Sequence, residues 1–255
     1  MDGKTVTRDK VLKALIKSLE PLDYIHALWE GGAAAYKRID EWSDMDIYIV
    51  VDDEKVKDTF LEVEKALKSL SPIKQKYDVP QTGWEGVYQA FYRLEGASEY
   101  LVIDLAVLKL SSPDMLLEPK VHGEAVFYLN KSGKVQIPAF DRESFDKRMN
   151  ERSKKLQERI GMFNSFVQKE INRGNYLEAV DLYYRLTLAT LVEVLRIKYS
   201  PIHYDFQMRY VHYELPPKMI DKLHKLYFVE DEKDLQEKYR KATSWIYEVI
   251  RESKR

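Results

Sequence analysis

The chain has 255 residues, of which 45% are hydrophobic, 12% aromatic and 33% charged. This composition is typical of a folded protein with a full core and excludes an intrinsically disordered chain. Because there is no cysteine, disulfides, thiolate metal sites and a thiol nucleophile are excluded. No apolar run is long enough to span a bilayer, and the polar start of the chain lacks the apolar stretch of a secretory signal. A cytoplasmic protein is therefore expected.

The net charge is −1 at pH 7 and it is unevenly distributed, since residues 1–140 are net acidic and residues 141–255 net basic. Neither half carries the strongly basic surface that binding to a long nucleic acid requires. A long nucleic acid is therefore disfavoured as a partner, and a small molecule is favoured. No pattern in the sequence indicates the oligomeric state.

The first half alternates between helical and strand patterns. Helices are predicted over residues 11–19, 33–39 and 56–70, and strands over residues 24–29, 45–51, 87–94 and 100–108. A hairpin is also predicted over 125–138, with its turn at residues 130–134. This alternation predicts an N-terminal α/β or α+β domain around a mixed sheet, covering residues 1–140.

From about residue 141 the strand patterns stop. Apolar residues recur at three- and four-residue steps, as expected for one face of a helix. They predict three helices, over residues 149–171, 177–199 and 235–249. Gly174 is expected to end the first of them. We therefore expect an all-α helical bundle domain over residues 141–255. Its segment 199–217 is rich in aromatic residues, which fits either a pocket for an acceptor substrate or simple packing of the bundle.

Two aspartates, Asp44 and Asp46, stand at the head of the apolar strand 45–51. Side chains alternate between faces in a strand, so both aspartates point to one face and the apolar residues to the other. Like charges this close repel, and a hard cation with oxygen ligands such as Mg²⁺ neutralises them. Asp104 interrupts the otherwise apolar strand 100–108. If that strand lies beside the first, the three carboxylates form one cluster able to hold one or two Mg²⁺ ions.

Gly31 and Gly32 follow a predicted strand and open a predicted short helix. Glycines let the backbone come close to a ligand, and a helix N-terminus favours phosphate. Ser43 offers a hydroxyl, while Lys37 and Arg38 offer positive charge. Together these five residues predict a nucleotide-binding site for a triphosphate. The alternative for Lys37 and Arg38 is ordinary surface charge, and the alternative for Ser43 is a capping or turn role.

The spacing of these motifs resembles that of the nucleotidyltransferase superfamily with a polymerase-β-like fold. The resemblance covers about residues 24–108 and rests on Gly31, Gly32, Ser43, Asp44, Met45, Asp46, Ile47 and Asp104. The helical second half is similar in architecture to the small-molecule branch that adenylylates aminoglycosides and lincosamides. Gly32 fits the pattern, in which glycine or serine follows the first glycine, but it lacks the phosphate contact of a serine side chain. Glu30 is less usual, because many relatives have an aromatic or apolar residue at that position.

The resemblance implies a Mg²⁺-dependent transfer of a nucleoside monophosphate, with release of pyrophosphate. The expected donor is an NTP, ATP above all, and the expected acceptor is a hydroxyl of a small aminoglycoside-like molecule. Asp44 and Asp46 would hold Mg²⁺. Asp104 would either complete the metal site or act as the base that deprotonates the acceptor. Two alternatives stay open, namely transfer to a protein or RNA and a non-catalytic nucleotide-binding module.

Overall fold

The computed structural model describes residues 6–80, 83–131 and 133–252. The chain divides into two compact units, Met1–Phe140 and Asp141–Arg255. Within the described residues the first unit contains a mixed sheet with helices, and the second is helical. The predicted fold class is therefore confirmed. No helix in the described part of the chain is long and apolar enough to cross a membrane.

The first unit is built around six strands. They are β1 (Ile25–Glu30), β2 (Met45–Val51), β3 (Ile73–Asp78), β4 (Val87–Leu94), β5 (Ile103–Lys109) and β6 (Val126–Asn130). The helices of this unit are α1 (Arg8–Leu19), α2 (Gly32–Ala35), α3 (Val56–Lys68) and α4 (Pro119–His122). A single 3₁₀ turn, Asp53–Lys55, leads into α3.

The sheet has the order β3-β4-β5-β2-β1-β6. Only the central pair, β2 and β5, runs parallel, and the other neighbours are antiparallel. One face carries the main core, in which Leu15 of α1 and Leu67 of α3 cluster with Ile47 and Leu105 of the central strands. A smaller apolar cluster around Trp29 covers part of the other face. The polar strand ends on this second face are where the predicted site lies.

Two strand predictions differ from the structure. The hairpin over 125–138 was wrong in its second strand, because β6 forms but residues 133–140 contain no strand. Residue 132, in the predicted turn, lies outside the described residues. β6 pairs instead with β1, where Leu129 is buried against the sheet. The edge strand β3 was missed because its sequence IKQKYD is mostly polar, as suits a strand whose residues are nearly all exposed.

The second unit contains seven α-helices among its described residues. They are α5 (Arg142–Phe163), α6 (Ser165–Arg173), α7 (Tyr176–Leu182), α8 (Ala189–Tyr199), α9 (Val211–Glu214), α10 (Pro217–Tyr227) and α11 (Glu232–Glu252). A π-helical segment, Tyr183–Leu188, joins α7 to α8, and a 3₁₀ turn, Pro201–His203, follows α8. The predicted helix 177–199 therefore holds a π-helical interruption.

The predicted helix 149–171 is broken at Asn164 into α5 and α6. The Asn164 amide is buried and donates to the Tyr239 hydroxyl at 3.0 Å and to Thr243 Oγ1 at 2.9 Å. It also accepts from Thr187 Oγ1 at 3.0 Å. This tertiary network leaves no trace in the apolar spacing. Gly174 ends α6 in the left-handed region at φ 74°, as predicted.

Candidate active site

The paired carboxylates lie at the centre of the sheet. Asp46 on β2 and Asp104 on β5 are direct partners across the parallel pair, so their side chains leave the same face of the sheet. Both are half-buried. Their chain neighbours Ile47 and Leu105 belong to the main core on the opposite face. The expectation that the strand of Asp104 lies beside the strand of Asp46 is confirmed.

Two carboxylates one strand apart repel unless their charge is offset. At a strand spacing of about 4.8 Å and an effective dielectric of about 20, the repulsion is about 3 kcal/mol. Part of the offset comes from Gln89 on β4, whose Nε2 donates to Asp104 Oδ1 at 2.6 Å. Gln89 was not predicted as a site residue. Its signal in the sequence was a lone amide within the apolar strand VYQAFYRL.

Asp44 precedes β2 and is exposed. No group of three or more histidine and acidic side chains is arranged to hold a metal ion anywhere in the described ranges. Of the predicted cluster of three aspartates, the structure therefore brings Asp46 and Asp104 together as direct strand partners. It does not bring Asp44 to them as a third ligand. Asp44 lies two residues before Asp46, in the loop that leads into β2.

Gly31 and Gly32 bring the backbone against the Asp46 side chain. The Gly31 N–H donates to the Asp46 carbonyl at 2.9 Å. Gly32 has φ +49°, and a Cβ at this position would stand 1.7 Å from Asp46 Oδ2. Position 32 therefore has neither the backbone conformation nor the space for a serine in this arrangement.

The helix after the glycines is shorter than predicted. α2 ends at Ala35, whereas the prediction extended to residue 39. Lys37 interrupts it, because this residue lies in the left-handed region at φ 56°. The Lys37 ammonium is 2.8 Å from Glu124, and this hydrogen bond raises the pKa of Lys37. Arg38 lies over the ring of Tyr36 at 5.2 Å. Both cations thus have local contacts of their own.

Ser43 is held in a turn with Asp40. Its Oγ donates to Asp40 Oδ1 at 2.8 Å and accepts the Asp40 N–H at 2.9 Å. The same carboxylate accepts the Trp42 N–H at 3.0 Å. In this structure the hydroxyl shapes the loop that leads into β2. These hydrogen bonds correspond to the turn role that was the alternative for Ser43.

A buried ion pair that the sequence analysis missed anchors the same loop. Arg8, the first residue of α1, is bonded to the carboxylate of Glu30 and to the backbone carbonyl of Asp44. Its guanidinium also reaches the Ser43 carbonyl at 3.4 Å. Glu30 is only 1% exposed and accepts from the Tyr128 hydroxyl at 2.9 Å. Glu30, unusual for the motif, is thus the partner of a cation that positions the start of β2.

Burial lowers the pKa of Arg8, and the nearby charges of Asp44 and Asp46 oppose that shift, as does the Tyr128 hydroxyl. The guanidinium therefore contributes positive potential next to the two aspartates. Arg8 is connected with the site by its contacts with Glu30, Ser43 and Asp44, but no motif spacing links position 8 to positions 44 and 46. Arg8 could therefore not be identified as a residue of the site from the sequence.

No protein-family model and no curated protein matches this chain in sequence. Among solved structures, similarity is found to an aminoglycoside 6-adenyltransferase from Bacillus subtilis, at 15% identity and TM-score 0.34, over 96% of this chain and 92% of that one. A spectinomycin adenyltransferase from Enterococcus faecialis, in a structure with ATP and spectinomycin, gives 13% identity and TM-score 0.34, over 97% and 98%.

A third solved structure, a STING-associated CdnE c-di-GMP synthase from Capnocytophaga granulosa, gives 13% identity and TM-score 0.33, over 96% of this chain and 78% of that one. Similarity at this level identifies no activity for the present chain.

The donor chemistry of the site fits Mg²⁺. This ion prefers oxygen ligands and is usually bound by one or two carboxylates together with waters and substrate phosphates, not by a complete protein cage. The pair Asp46 and Asp104 supplies two such carboxylates on one face. Asp44, exposed just before β2, stands within the same segment as a third oxygen donor. Nitrogen and sulfur ligands, which softer metals prefer, do not contribute to this donor set.

Proposed function

We propose that this chain is a Mg²⁺-dependent nucleotidyltransferase. It transfers a nucleoside monophosphate, AMP when the donor is ATP, to a hydroxyl of a small molecule and releases pyrophosphate. The observation that carries the proposal is the direct pairing of Asp46 with Asp104 beside a glycine backbone that leaves no room for a side chain. Hard carboxylates and close backbone approach are what a metal-bound triphosphate needs.

In this proposal Asp44 and Asp46 hold Mg²⁺, with Asp104 either completing the metal site or accepting the proton of the acceptor hydroxyl. When bound, the ion supplies charge neutralisation for the phosphates during displacement. Gly31 and Gly32 allow the triphosphate to approach the backbone beside Asp46. Arg8 adds positive potential and fixes the segment that carries the aspartates.

The reaction is an in-line displacement at the α-phosphorus. The acceptor oxygen forms the new bond to phosphorus, and the bond between that phosphorus and the oxygen bridging to the β-phosphate breaks. The electron pair leaves on pyrophosphate. The hydroxyl proton passes to Asp104 or to solvent. Lys37, Arg38 and Ser43 contribute phosphate contacts only if their present partners are exchanged for the nucleotide.

Calorimetric binding of the four NTPs, each with and without Mg²⁺, tests the site. We expect Mg²⁺-dependent binding of ATP by the wild type and its loss in Asp46→Asn. The matched control is Asp78→Asn, which changes an exposed strand aspartate on the other face of the sheet. Equal Mg²⁺-dependent binding in Asp46→Asn and wild type would contradict the metal role. No binding of any NTP by the wild type would contradict the proposal altogether.

Turnover is tested with ATP labelled at the α-phosphate and a cell extract as the acceptor source. We expect label in the small-molecule fraction, pyrophosphate release, and loss of both in Asp46→Asn. The free energy of unfolding of this variant should be no lower than that of the wild type, because the substitution removes the repulsion from Asp104. Label in the protein or RNA fraction would instead support macromolecular acceptors. Binding of Mg-ATP with no pyrophosphate release would support a non-catalytic nucleotide-binding module.

A further inference from the structure

The carboxylate pair belongs to a row that continues across the sheet. Asp104 on β5 is the direct partner of Phe91 on β4, and Phe91 is the direct partner of Tyr77 on β3. Asp46, Asp104, Phe91 and Tyr77 therefore stand side by side on four neighbouring strands and project from one face. The rings of Phe91 and Tyr77 contact each other, with centroids 6.4 Å apart and planes tilted by 35°.

This aromatic pair is accessible to a ligand. Tyr77 is 57% exposed and Phe91 is half-buried. They line a shallow groove of about 470 Å³ together with Gln75 and Arg93, which are register partners of each other on the same two strands. Arg93 is exposed and makes no ion pair with any residue in the described ranges. The groove thus offers two ring faces, one amide and one positive charge.

The geometry of in-line displacement determines which substrate this groove faces. The glycines lie on the β1 side of Asp46, so in the proposed function the pyrophosphate leaves on that side. The attacking hydroxyl has to enter from the opposite side of the α-phosphorus. In the strand order that opposite side is occupied by β4 and β3. The groove with Phe91 and Tyr77 is therefore on the acceptor side of the carboxylate pair.

The spacing also suits a small acceptor. Neighbouring strands are about 4.8 Å apart, so Phe91 and Tyr77 stand about 5 and 10 Å from Asp104 along the row. A planar molecule of one or two rings that stacks on the pair covers this span, and a hydroxyl on its rim reaches Asp104. Aromatic rings prefer such offset or tilted contacts with other π systems. Arg93 beside the pair matches an acidic substituent on the ring.

From this arrangement we infer that Tyr77, Phe91 and Arg93 bind the acceptor, and that the acceptor is a hydroxylated planar ring with an acidic group. The inference rests on the proposed nucleotidyl transfer for its catalytic meaning. Ring binding itself requires neither Mg²⁺ nor a nucleotide. A polycationic aminoglycoside has neither the ring face nor the charge that this groove recognises.

Binding is tested without nucleotide by saturation-transfer NMR and fluorescence, with hydroxynaphthoate as the planar anionic probe. Two comparison probes each lack one feature: naphthol lacks the acid, and hydroxycyclohexanecarboxylate lacks the planar ring. We expect hydroxynaphthoate to bind most tightly to the wild type. Tyr77→Ala should weaken that binding about fivefold, the effect of losing one ring contact. Arg93→Gln should remove the preference for hydroxynaphthoate over naphthol.

The matched control is Tyr88→Ala. Tyr88 is also on β4 and is 46% exposed, but it projects from the other face of the sheet. We expect it to leave binding unchanged. Equal affinities in wild type, Tyr77→Ala and Tyr88→Ala would overturn the inference, and so would no binding of hydroxynaphthoate by the wild type. A change in particle size by light scattering in Tyr77→Ala, without a change in probe binding, would overturn it in favour of a protein interface.

The catalytic part is tested by pyrophosphate release from Mg-ATP with the same probes. Turnover with hydroxynaphthoate that falls in Tyr77→Ala through a raised KM supports the inference. Ring binding that depends on Tyr77, combined with an absence of Mg-ATP binding, would contradict the proposed function and leave the ring site standing. Mg-ATP binding without Tyr77-dependent ring binding would contradict the ring site alone. The two failures are thus distinguishable.

Discussion

Replacing Gly32 by alanine tests whether close packing of the backbone against Asp46 holds the site in its working geometry. The alanine Cβ would stand 1.7 Å from Asp46 Oδ2 and 2.5 Å from its Cγ. Side-chain contacts of this kind do not persist, so either the Asp46 carboxylate or the turn has to move by more than about 1 Å. The left-handed φ of +49° adds a backbone cost of about 1–2 kcal/mol.

The effect on turnover follows from the size of that displacement. A misplacement of about 1 Å in a catalytic constellation costs about 100-fold in rate, which corresponds to about 2.7 kcal/mol of transition-state stabilisation. We therefore expect Gly32→Ala to lose about 100-fold in kcat/KM for pyrophosphate release and to lose most Mg²⁺-dependent ATP binding. The free energy of unfolding should fall by about 1–2 kcal/mol for the backbone conformation, and further by the cost of displacing Asp46.

The matched control is Gly174→Ala, because Gly174 also has a left-handed φ, +74°, but a Cβ added there would meet no atom within 4 Å. Both variants are compared by pyrophosphate release, by calorimetric Mg-ATP binding and by urea denaturation. Gly174→Ala should lose only the stability that the backbone conformation costs and keep full activity. A Gly32→Ala variant with activity within about threefold of wild type would refute the reasoning, because the carboxylate could then move without consequence.

Two further predictions concern buried polar groups. Arg8→Met leaves Glu30 buried without its cation and should lower the free energy of unfolding in urea by about 3–5 kcal/mol. The double variant Arg8→Met with Glu30→Met should recover much of that loss, and no recovery would contradict the ion-pair argument. Burial, with a smaller contribution from Tyr184, raises the pKa of Tyr227 to about 12. As the pH rises, the Tyr227 hydroxyl therefore loses its proton in the unfolded chain before it does so in the folded chain, and the free energy of unfolding should fall between pH 10 and 12. This fall should be less steep in Tyr227→Phe than in Tyr213→Phe, the control at an exposed tyrosine.

The strands that carry the carboxylates could be predicted from the sequence because two local signals agree there. The apolar alternation after Met45 and the apolar run around Asp104 each indicate a buried strand. A charge inside such a run is costly unless it has a partner. That rule indicated that Asp104 needs a partner, and its place beside Asp46 was conditional on the two strands being neighbours. The parallel register of β2 with β5 shows that they are, and Asp46 and Asp104 are direct partners.

The parts that could not be predicted depend on contacts between distant positions. Arg8 and Glu30 are 22 residues apart, and Tyr128 is 98 residues from Glu30. β3 was missed because an exposed edge strand has no apolar alternation to display. The break at Asn164 is likewise fixed by Thr187, Tyr239 and Thr243 from other helices. Local patterns carry no information about such partners.

The ion pair of Arg8 with Glu30 also explains why a charged residue occupies the position before the two glycines. An apolar pair would fill the same space and, by general experience, would often be at least as stable. It would lack the donors that Arg8 directs to the carbonyls of Ser43 and Asp44. Those carbonyls lie immediately before β2, so the guanidinium sets where the acidic segment enters the sheet. The buried charge at Glu30 is therefore better explained by the placement of the aspartates than by stability.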